Sequence, residues 1–332
     1  MEDLARLNLV GESSAFLRCV ELIRRYAACD ATVLIHGETG TGKELAARGI
    51  HYLGARRDFP FIPVNCGAIP DNLVENELFG HTKGAYTDAR DSRAGVIGDA
   101  EGGTLFLDEV ETLTARAQVA LLRFLQDQHY RPLGGKHIMV ANVRIIAASN
   151  ENLAGRARRG QFRQDLLFRL NIMGLDMPSL RARRADVAAL ASHFLRRFSR
   201  QYGRPEKPLS RASLALLDRY EWPGNVRELE NLVHREYLLC QGSEIEIDPA
   251  GLDPNRFGPG AAAFTLKGAD CFQAAKARAI AEFERSYLAQ LLTETNGNVS
   301  LAARRSGKER RSLGKLLKKH GIDRSQYARE SA

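Results

Sequence analysis

The chain has 332 residues, of which 44% are hydrophobic and 27% are charged, a composition typical of a globular protein with two or three domains. It contains no run of roughly 18 apolar residues, which argues against a membrane span, and no basic start followed by an apolar stretch, which argues against a signal peptide. The sequence therefore predicts a cytoplasmic protein without a membrane partner. The net charge of +8 is concentrated near the C-terminus, because residues 264–332 alone carry +7.

The first half of the chain alternates strand-like apolar runs with helix-like segments. The predicted strands are 33–36, 61–65, 104–107 and 143–148. This alternation predicts an α/β domain with a largely parallel sheet. From about residue 178 to residue 242 the strand signals disappear and helical periodicity dominates, most clearly in 186–202 and 210–220, so a small helical domain is expected there.

Residues 253–263 are rich in Pro, Gly and small side chains, a composition typical of a flexible linker. We therefore predict an α/β part over 1–172, a helical part over 173–252, the linker over 253–263 and a basic helical domain over 264–332. The five cysteines form no Cys-x-x-Cys pair and have no histidines at metal-binding spacing, which favours reduced thiols over a metal site or disulfides.

A glycine-rich turn lies between the strand 33–36 and the helix predicted to follow it. The turn consists of Gly37, Glu38, Thr39, Gly40, Thr41, Gly42 and Lys43, followed by Glu44. Glycines permit a tight bend, the backbone N–H groups at the helix start can face a phosphate, and Lys43 places a positive charge near the β- and γ-phosphates. The generic motif ends in Ser or Thr, which binds magnesium, so Glu44 leaves more of that task to other residues.

Two carboxylates, those of Asp108 and Glu109, follow the strand 104–107. Carboxylates at a strand end beside a phosphate loop are suited to holding Mg²⁺ and to activating a water molecule. We assign Asp108 to the Mg²⁺ shell and Glu109, next to the metal, to the water that attacks the γ-phosphate. With the glycine-rich turn they predict a nucleoside triphosphate site, and this context disfavours an ordinary turn or a solvated acidic strand end.

Two asparagines lie at the ends of predicted strands. Asn65 ends 61–65 and is placed to hydrogen-bond and regulate Glu109, although an asparagine in this position is more often a cap. Asn150 follows Ser149 after the strand 143–148, so its side chain is expected to emerge near the γ-phosphate.

Three arginines are candidates for contacts with phosphate. Arg163 and Arg169 follow the last predicted strand, 143–148, near the end of the α/β part. An arginine from a neighbouring subunit can stabilise the charge that spreads over the γ-phosphate during transfer, but spacing alone favours surface ion pairs. Arg227 begins a helix after a turn at 222–224, where a cation is electrostatically unfavourable, and this points to an anionic ligand.

The C-terminal domain is predicted to contain helices at 283–294, 298–305 and 310–320, with a turn at 306–307. The side chains expected to pack inward are Phe283, Tyr287, Leu288, Leu291, Leu292, Leu313, Leu316 and Leu317. Residues 300–320 include eight basic residues and one acidic residue, which favours a helix-turn-helix over a solvated basic helix. The residues assigned to DNA contacts are Arg310, Arg311, Lys315 and Lys318.

These motifs resemble those of sigma-54-dependent transcriptional activators, the bacterial enhancer-binding proteins of the AAA+ class. The similarity covers residues 9–242 as the AAA+ domain and 264–322 as a Fis-type helix-turn-helix. The matching strings are 37–44, 77–81, 102–109, 162–170 and 222–229. The resemblance implies an α/β AAA+ P-loop NTPase core with a parallel sheet and a helical lid, followed by an all-α Fis-type helix-turn-helix domain.

The resemblance also implies roles for individual residues. Asn65 is expected to be the switch partner of the catalytic glutamate, and Asn150 to belong to sensor I. Arg163 and Arg169 are expected to be arginine fingers that act on a neighbouring subunit, and Arg227 to be sensor II. These roles replace the surface ion-pair interpretation of the two arginines.

The loop through which the family contacts sigma-54 has the sequence Gly-Ala-Phe-Thr-Gly-Ala. The corresponding residues here are Gly84, Ala85, Tyr86, Thr87, Asp88 and Ala89. Tyr86 keeps a planar ring and Thr87 is retained. Asp88 stands in place of a glycine, which adds a negative charge and restricts the backbone.

The resemblance implies an ATPase that uses Mg²⁺, forms a hexamer when active and a smaller assembly at rest, binds enhancer DNA and remodels the closed complex of RNA polymerase with sigma-54. The alternative is an AAA+ DNA-binding regulator that uses nucleotide-controlled assembly but does not engage sigma-54 because of Asp88. A general AAA+ unfoldase is disfavoured by the strings 77–81 and 84–89. Only about ten residues precede Gly11, so we expect no receiver domain. We expect the activity to be controlled instead by a regulatory protein in trans, by expression level or by an upstream region.

Overall fold

The computed structural model describes residues 8–70, 72–85 and 91–252, together with residues 288, 291, 292, 295, 298–306, 313, 314 and 317 near the C-terminus. The chain divides into two compact units, Met1–Asp253 and Pro254–Ala332. The described helices of the first unit are α1 Ser14–Ala27, α2 Lys43–Tyr52, α3 Val74–Phe79, α4 Val96–Asp99, α5 Ala115–Asp127, α6 Leu153–Arg158, α7 Gln164–Leu170, α8 Val187–Tyr202, α9 Arg211–Arg219 and α10 Asn225–Leu239. Its described strands are β1 Val33–His36, β2 Phe61–Asn65, β3 Gly80–His81, β4 Arg93–Ala94, β5 Thr104–Asp108, β6 His129–Tyr130, β7 Met139–Val140, β8 Arg144–Ser149 and β9 Met173–Asp176. Short 3-10 turns lie at Cys66–Ala68, Val110–Thr112, Leu180–Asp186 and Pro249–Leu252.

Five parallel strands form the central sheet in the order β2, β5, β8, β1, β9. Asn65 is in register with Asp108, and His36 is in register with Ser149. Because parallel strands have their carboxyl ends along one edge, the segments that follow β1, β2, β5 and β8 meet there.

Helices cover both faces of the sheet. On β1, Leu34 belongs to one hydrophobic cluster, whereas Val33 and Ile35 belong to another. The first cluster includes Leu121 of α5, and the second includes Ile23 of α1. Side chains of successive strand residues point to opposite faces, so this division confirms a sheet that is buried on both sides.

The predicted strands are confirmed with small shifts. Two of them, 33–36 and 61–65, have the observed bounds, while β5 extends one residue further, to Asp108, and β8 is shifted to Arg144–Ser149. The sequence pattern does not predict β9, because Met-Gly-Leu-Asp lacks the β-branched and aromatic residues typical of strands. Since β9 pairs with β1, the sheet continues past the predicted subdomain boundary at residue 172.

The segment after the sheet is helical, as expected. Helices α8, α9 and α10 pack around a separate hydrophobic cluster in which Trp222 and Tyr237 are almost fully buried. The indole N–H of Trp222 donates to the carbonyl oxygen of Leu217 at 3.0 Å, which satisfies its only polar atom. In the portion of the chain that the structure describes, no helix combines the length and the apolar composition needed to cross a bilayer.

The second unit contains a small hydrophobic cluster and the helix α11, Val299–Arg305. The buried members of the cluster are Leu288, Leu291, Leu292, Ala302, Ala303, Leu313 and Leu317. Asn298 Oδ1 accepts a hydrogen bond from the N–H of Leu301 at 3.1 Å at the start of α11, which is the contact of a helix N-cap. Inward packing is thus confirmed for the predicted leucines except Leu316, which lies outside the described residues together with Phe283 and Tyr287.

Candidate functional site

The glycine-rich turn joins β1 to α2 through two left-handed glycines. Gly40 has φ +79° and Gly42 has φ +97°, a region that favours residues without a Cβ. Gly42 is the N-cap of α2 and provides no side chain to the first N–H groups of the helix. Backbone N–H groups at such a helix start, with the positive end of the helix dipole, attract anions such as phosphate.

Lys43 is the first residue of α2, and only 6% of it is exposed. Its Nζ donates to the carbonyl oxygen of Gly37 at 2.8 Å and to Asn150 Oδ1 at 2.5 Å. A third contact, at 3.2 Å, goes to the carbonyl oxygen of Glu38. Burial lowers the pKa of Lys43, while the negative charge of Asp108 acts in the opposite direction. The ammonium group is therefore held between the turn and the end of β8.

The two carboxylates lie where β5 ends. Glu109 has left-handed backbone with φ +56°, and its N–H donates to Asp108 Oδ1 at 2.9 Å. Burial raises the pKa of Asp108, an effect that the charge of Lys43 opposes. Both carboxylates in turn act to raise the pKa of Lys43 against the larger effect of burial. The cation and the two anions thus form one electrostatic unit at the carboxyl edge of the sheet.

Asn150 links the two halves of this site. Its Oδ1 accepts from Lys43 Nζ, and its Nδ2 lies 3.5 Å from Glu109 Oε1. Its backbone N–H donates to Glu111 Oε1 at 3.1 Å. A single side chain at the end of β8 therefore contacts both the lysine of the turn and the carboxylate assigned to water activation.

Asn65 acts as a cap in the structure. Its Oδ1 accepts from the N–H groups of Gly67 at 2.8 Å and Ala68 at 3.2 Å. A Cβ placed on Gly67 would lie 2.6 Å from Glu109 Oε2 and 3.3 Å from Asn65 Oδ1, so the two side chains flank the same glycine. The cap uses the side-chain oxygen of Asn65, so its Nδ2 can bond another partner. The role of Asn65 as the switch partner of Glu109 stays a prediction.

The helical part of the first unit contacts the glycine-rich turn directly. Glu38 Oε2 accepts from Arg181 Nη1 at 2.8 Å and from Asn225 Nδ2 at 3.2 Å. These hydrogen bonds, that of Arg181 first, lower the pKa of Glu38. Asn225 Nδ2 also donates to the carbonyl oxygen of Thr39 at 3.0 Å. The turn is therefore bonded to two separate segments of the helical part.

Arg227 lies in the first turn of α10, next to the glycine-rich turn. A Cβ placed on Gly40 would lie 3.1 Å from the Cβ of Arg227 and 2.3 Å from the carbonyl oxygen of Gly224. The N–H of Val226 donates to the carbonyl oxygen of Gly40 at 3.0 Å. The side chain of Arg227 is exposed, and its backbone lies in contact with the glycine-rich turn. An anion-binding role requires this position.

Arg163 is the N-cap residue of α7 and Arg169 lies within that helix, and both are exposed. Arg163 forms an ion pair with Asp165, with Nη2 and Oδ2 2.7 Å apart, and its backbone N–H donates to Gln118 Oε1 at 2.9 Å. Within the isolated chain Arg163 therefore has the surface ion pair that spacing alone suggests. Phe168, between them, is 68% exposed. The finger role of both arginines stays a prediction.

The loop 84–89 is described only at its base. The N–H of Lys83 donates to Ser92 Oγ at 2.9 Å, and β3 pairs with β4, so the ends of the loop are held together. The N–H of Thr82 donates to the carbonyl oxygen of Leu133 at 2.9 Å, which ties this base to the segment between β6 and β7. Gly84 has φ +81°. Outside the described residues lie Tyr86, Thr87, Asp88 and Ala89, as do the predicted DNA contacts Arg310, Arg311, Lys315 and Lys318.

Three contributors to the site are not identified by sequence reasoning. Glu111 is 5% exposed and bonds the backbone of Asn150, but a glutamate in a short turn is typically solvated. Arg181 is one of several arginines in its segment, so the sequence does not single it out. Asn225 has a left-handed backbone with φ +53°, which the sequence does not predict. No periodicity or spacing marks these contacts, because they join segments far apart in the chain.

The oxygen donors at the end of β5 suit a hard cation. Asp108 and Glu109 offer carboxylate oxygens beside the phosphate-binding turn, and Mg²⁺ in nucleotide sites is bound by one or two carboxylates with phosphates and water. Among the residues that the structure describes, no group of three or more His, Cys, Asp or Glu side chains could hold a metal ion by itself. The residues present therefore fit a Mg²⁺ that arrives with phosphates rather than a permanent metal centre.

Models of three protein families match the chain. The sigma-54 interaction domain matches residues 9–176, the AAA+ ATPase lid domain matches 181–254, and the bacterial regulatory protein, Fis family, matches 279–320. Relatives include the transcriptional regulatory protein ZraR of Salmonella typhi, which is 41% identical over 93% of this chain and 68% of its own length. The response regulator protein PilR of Pseudomonas aeruginosa is 42% identical over 95% of this chain and 70% of its own length.

A similar solved structure is that of NtrX from Brucella abortus in complex with ATP. It has a TM-score of 0.70 and 32% sequence identity, and the match covers 95% of this chain and 69% of NtrX. NtrX from the same organism in complex with ADP gives a TM-score of 0.71. With the family matches, these similarities confirm the predicted fold class, an AAA+ P-loop core with a helical lid followed by a Fis-type helix-turn-helix domain.

Proposed function

The chain belongs to the family of sigma-54-dependent transcriptional regulators, and we propose that it hydrolyses ATP to remodel the closed complex of RNA polymerase with sigma-54 into the open complex. ZraR and PilR are regulatory proteins by name, and NtrX was solved with ATP. These relatives support a nucleotide-driven regulator of transcription, which acts in the cytoplasm where RNA polymerase works.

The observation that carries the proposal is the contact of Asn150 with both Lys43 and Glu109. A site that hydrolyses ATP needs a cation at the phosphates and a base at the attacking water, at a fixed separation. Asn150 holds these two groups together at the carboxyl edge of the sheet. An ordinary glycine-rich turn with a surface lysine would have no such connection.

The residues divide the work of hydrolysis among them. The N–H groups of the turn 37–43 bind the phosphates, and Lys43 exchanges a carbonyl or amide oxygen for a phosphate oxygen. Glu109 accepts the proton of the attacking water, and Asp108 orients the metal shell. Mg²⁺, held by Asp108 and Glu109, would neutralise negative charge on the phosphates. Arg227, on the helix that contacts the turn, senses whether the γ-phosphate is present.

We assign the arginine fingers to the neighbouring subunit of a hexamer. Arg163, at the N-cap of α7, and Arg169, within α7, are both exposed, so both side chains are accessible to a second copy of the chain. An arginine supplied in trans stabilises the transition state of phosphoryl transfer and makes hydrolysis depend on assembly. A regulatory protein acting in trans would control the step from a smaller resting assembly to the hexamer.

Two other parts connect hydrolysis to transcription. The loop 84–89 contacts sigma-54, and the base of this loop is tied to the α/β core through β3, β4 and the segment between β6 and β7. The helix-turn-helix domain binds enhancer DNA through Arg310, Arg311, Lys315 and Lys318, and so raises the local concentration of the hexamer at the promoter. The alternative without sigma-54 engagement is disfavoured, because the sigma-54 interaction domain model matches on both sides of the loop.

The test is open-complex formation in vitro. Purified protein, RNA polymerase with sigma-54, and a promoter carrying upstream binding sites are mixed with ATP, ADP or a non-hydrolysable ATP analogue, and the melted strand is mapped with permanganate. Melting is expected with ATP alone. ATP hydrolysis without melting at any sigma-54 promoter would contradict the remodelling part of the proposal, and absence of hydrolysis would contradict all of it.

A further inference from the structure

Glu111 is a buried carboxylate beside the nucleotide site, with no role in the mechanism above. It lies in the 3-10 turn Val110–Thr112, and only 5% of it is exposed. Its Oε1 accepts the backbone N–H of Asn150 at 3.1 Å. Its Oε2 is buried and has no hydrogen-bond partner in the part of the chain that the structure describes. Burying a half-satisfied carboxylate is costly, so the one hydrogen bond that it makes is the contact to explain.

The bonded partner of Glu111 is the residue that joins the two halves of the site. Asn150 comes directly after β8, where the ladder hydrogen bonds of the sheet end. Its side chain contacts Lys43 Nζ on one side and Glu109 Oε1 on the other. A side chain can hold two groups in place only if its own backbone is fixed, and the hydrogen bond that the N–H of Asn150 donates to Glu111 Oε1 provides such an attachment.

We propose that Glu111 is a positioning residue of the ATPase site, which anchors the backbone of Asn150 so that its side chain stays between Lys43 and Glu109. The inference rests on the proposed ATP hydrolysis. The required feature is an acceptor oxygen at the end of a side chain of this length. The charge of Glu111, like those of Asp108 and Glu109, acts to raise the pKa of Lys43 against the larger effect of burial. The other two carboxylates supply this effect without Glu111, and a further negative charge also repels an anionic nucleotide, so the acceptor oxygen rather than the charge is the feature required.

Two variants of similar size separate the acceptor from the rest of the side chain. Glu111→Gln keeps an acceptor oxygen, whereas Glu111→Met keeps the volume and removes the acceptor. Glu206→Gln, an exposed acid of the helical part, controls for the change in net charge. For each protein one measures kcat and KM for ATP, the Kd of a fluorescent ATP analogue and the melting temperature.

Glu111→Met is expected to lower kcat by about tenfold or more, because a lost buried hydrogen bond of ordinary strength corresponds to about that factor. Its KM and nucleotide Kd are expected to stay within about threefold of wild type, since among the described residues Glu111 is hydrogen-bonded to Asn150 and not to the glycine-rich turn. Glu111→Gln is expected to recover most of the loss. In an Asn150→Ala background, Glu111→Met is expected to cause little further loss, because the two residues act through one contact.

Different failures have different meanings. If wild-type protein hydrolyses ATP and Glu111→Met has the same kcat, this inference is wrong while the proposed function stands. Equal impairment of the Gln and Met variants would also overturn it, because the charge and not the acceptor would then matter. Full additivity with Asn150→Ala would exclude action through Asn150. If wild-type protein does not hydrolyse ATP at all, the proposed function itself fails.

Discussion

Asn225 donates a hydrogen bond from Nδ2 to the carbonyl oxygen of Thr39 at 3.0 Å, so the first residue of α10 is bonded to the phosphate-binding turn. The adjacent N–H of Val226 donates to the carbonyl oxygen of Gly40 at 3.0 Å. Neither contact involves a side chain of the turn. We therefore expect a movement of the helical lid to act on the backbone of the glycine-rich turn, and nucleotide binding to be coupled to the position of the lid.

Gly40→Ala is expected to disrupt this contact. A Cβ on Gly40 would lie 2.3 Å from the carbonyl oxygen of Gly224, and the φ of +79° is itself unfavourable for alanine. Gly203→Ala is the matched control, because Gly203 has φ +60° and no atom within 4 Å of a built Cβ. Gly203→Ala is expected to lower the free energy of unfolding by about 1 kcal/mol, because alanine is strained in this backbone conformation. Gly40→Ala is expected to cost more and to weaken nucleotide binding, as measured by denaturant unfolding and calorimetric titration. Equal costs for the two variants would contradict the close approach of the lid.

Glu109→Gln is expected to abolish turnover and keep nucleotide binding. The amide cannot accept the proton of the attacking water, a loss that typically corresponds to about a hundredfold or more in rate. Lys43→Ala is expected to weaken nucleotide binding instead, because it removes the cation at the phosphates. The measurements are steady-state ATPase rates and the Kd of a fluorescent nucleotide. Wild-type turnover by Glu109→Gln would show that another group is the base.

The ion pair of Glu38 with Arg181 predicts an acid-dependent contribution to stability. The hydrogen bond from Arg181 lowers the pKa of Glu38, so the pair stabilises the folded protein above the ordinary pKa of a glutamate, about 4.3, and this stabilisation is lost as the pH falls through the lowered value. Arg181→Ala is therefore expected to melt slightly below wild type near neutral pH, and the gap is expected to close in acid. The effect is small, because both side chains are more than a third exposed.

Thermal melts of wild type, Arg181→Ala and Glu38→Gln at a series of pH values test this. Glu38→Gln is expected to remove the acid-dependent difference, since no carboxylate remains to titrate. Arg184→Ala, which breaks the separate surface ion pair with Glu221, controls for loss of an arginine in the same segment. A gap between the melting temperatures of wild type and Arg181→Ala that stays constant as the pH is lowered well below about 4 would rule out the titration of Glu38 as its origin.

The arginine fingers are tested by mixing subunits. Arg163→Ala and Arg169→Ala are each expected to lose hydrolysis and keep ATP binding. Mixing either variant with Lys43→Ala subunits is expected to restore activity, because a site formed by the lysine of one subunit and the arginine of its neighbour is intact. Native mass spectrometry shows whether mixed assemblies form. No recovery in proven mixed assemblies would place the arginines in their own subunit's site or in no site.

Sequence reasoning predicts those features of the site that depend on local patterns. The turn 37–43, the strand before Asp108 and the helix start near Arg227 each follow from short strings with a physical reason for their residue types. The contacts of Asn150 with Lys43 and of Glu111 with Asn150 depend on register between strands that are far apart in sequence. Patterns do not fix that register, so Glu111 cannot be distinguished from a solvated glutamate before the sheet order is known.

The sigma-54 loop gives the last prediction. Its ends are held together by the pairing of β3 with β4 and by the hydrogen bond from Lys83 N–H to Ser92 Oγ at 2.9 Å, so a substitution within the loop leaves its base in place. Thr87→Ala is expected to abolish open-complex formation and to spare ATP hydrolysis, because the family resemblance assigns Thr87 to the contact with sigma-54 and the proposed ATPase site does not include it. Asp88→Gly is expected to keep or increase open-complex formation. It removes a charge whose desolvation opposes engagement unless sigma-54 offers a basic partner. The measurements are ATPase rate and permanganate reactivity on the same samples. An active ATPase that melts a promoter only after Asp88 is replaced by glycine would favour a regulator that works without sigma-54.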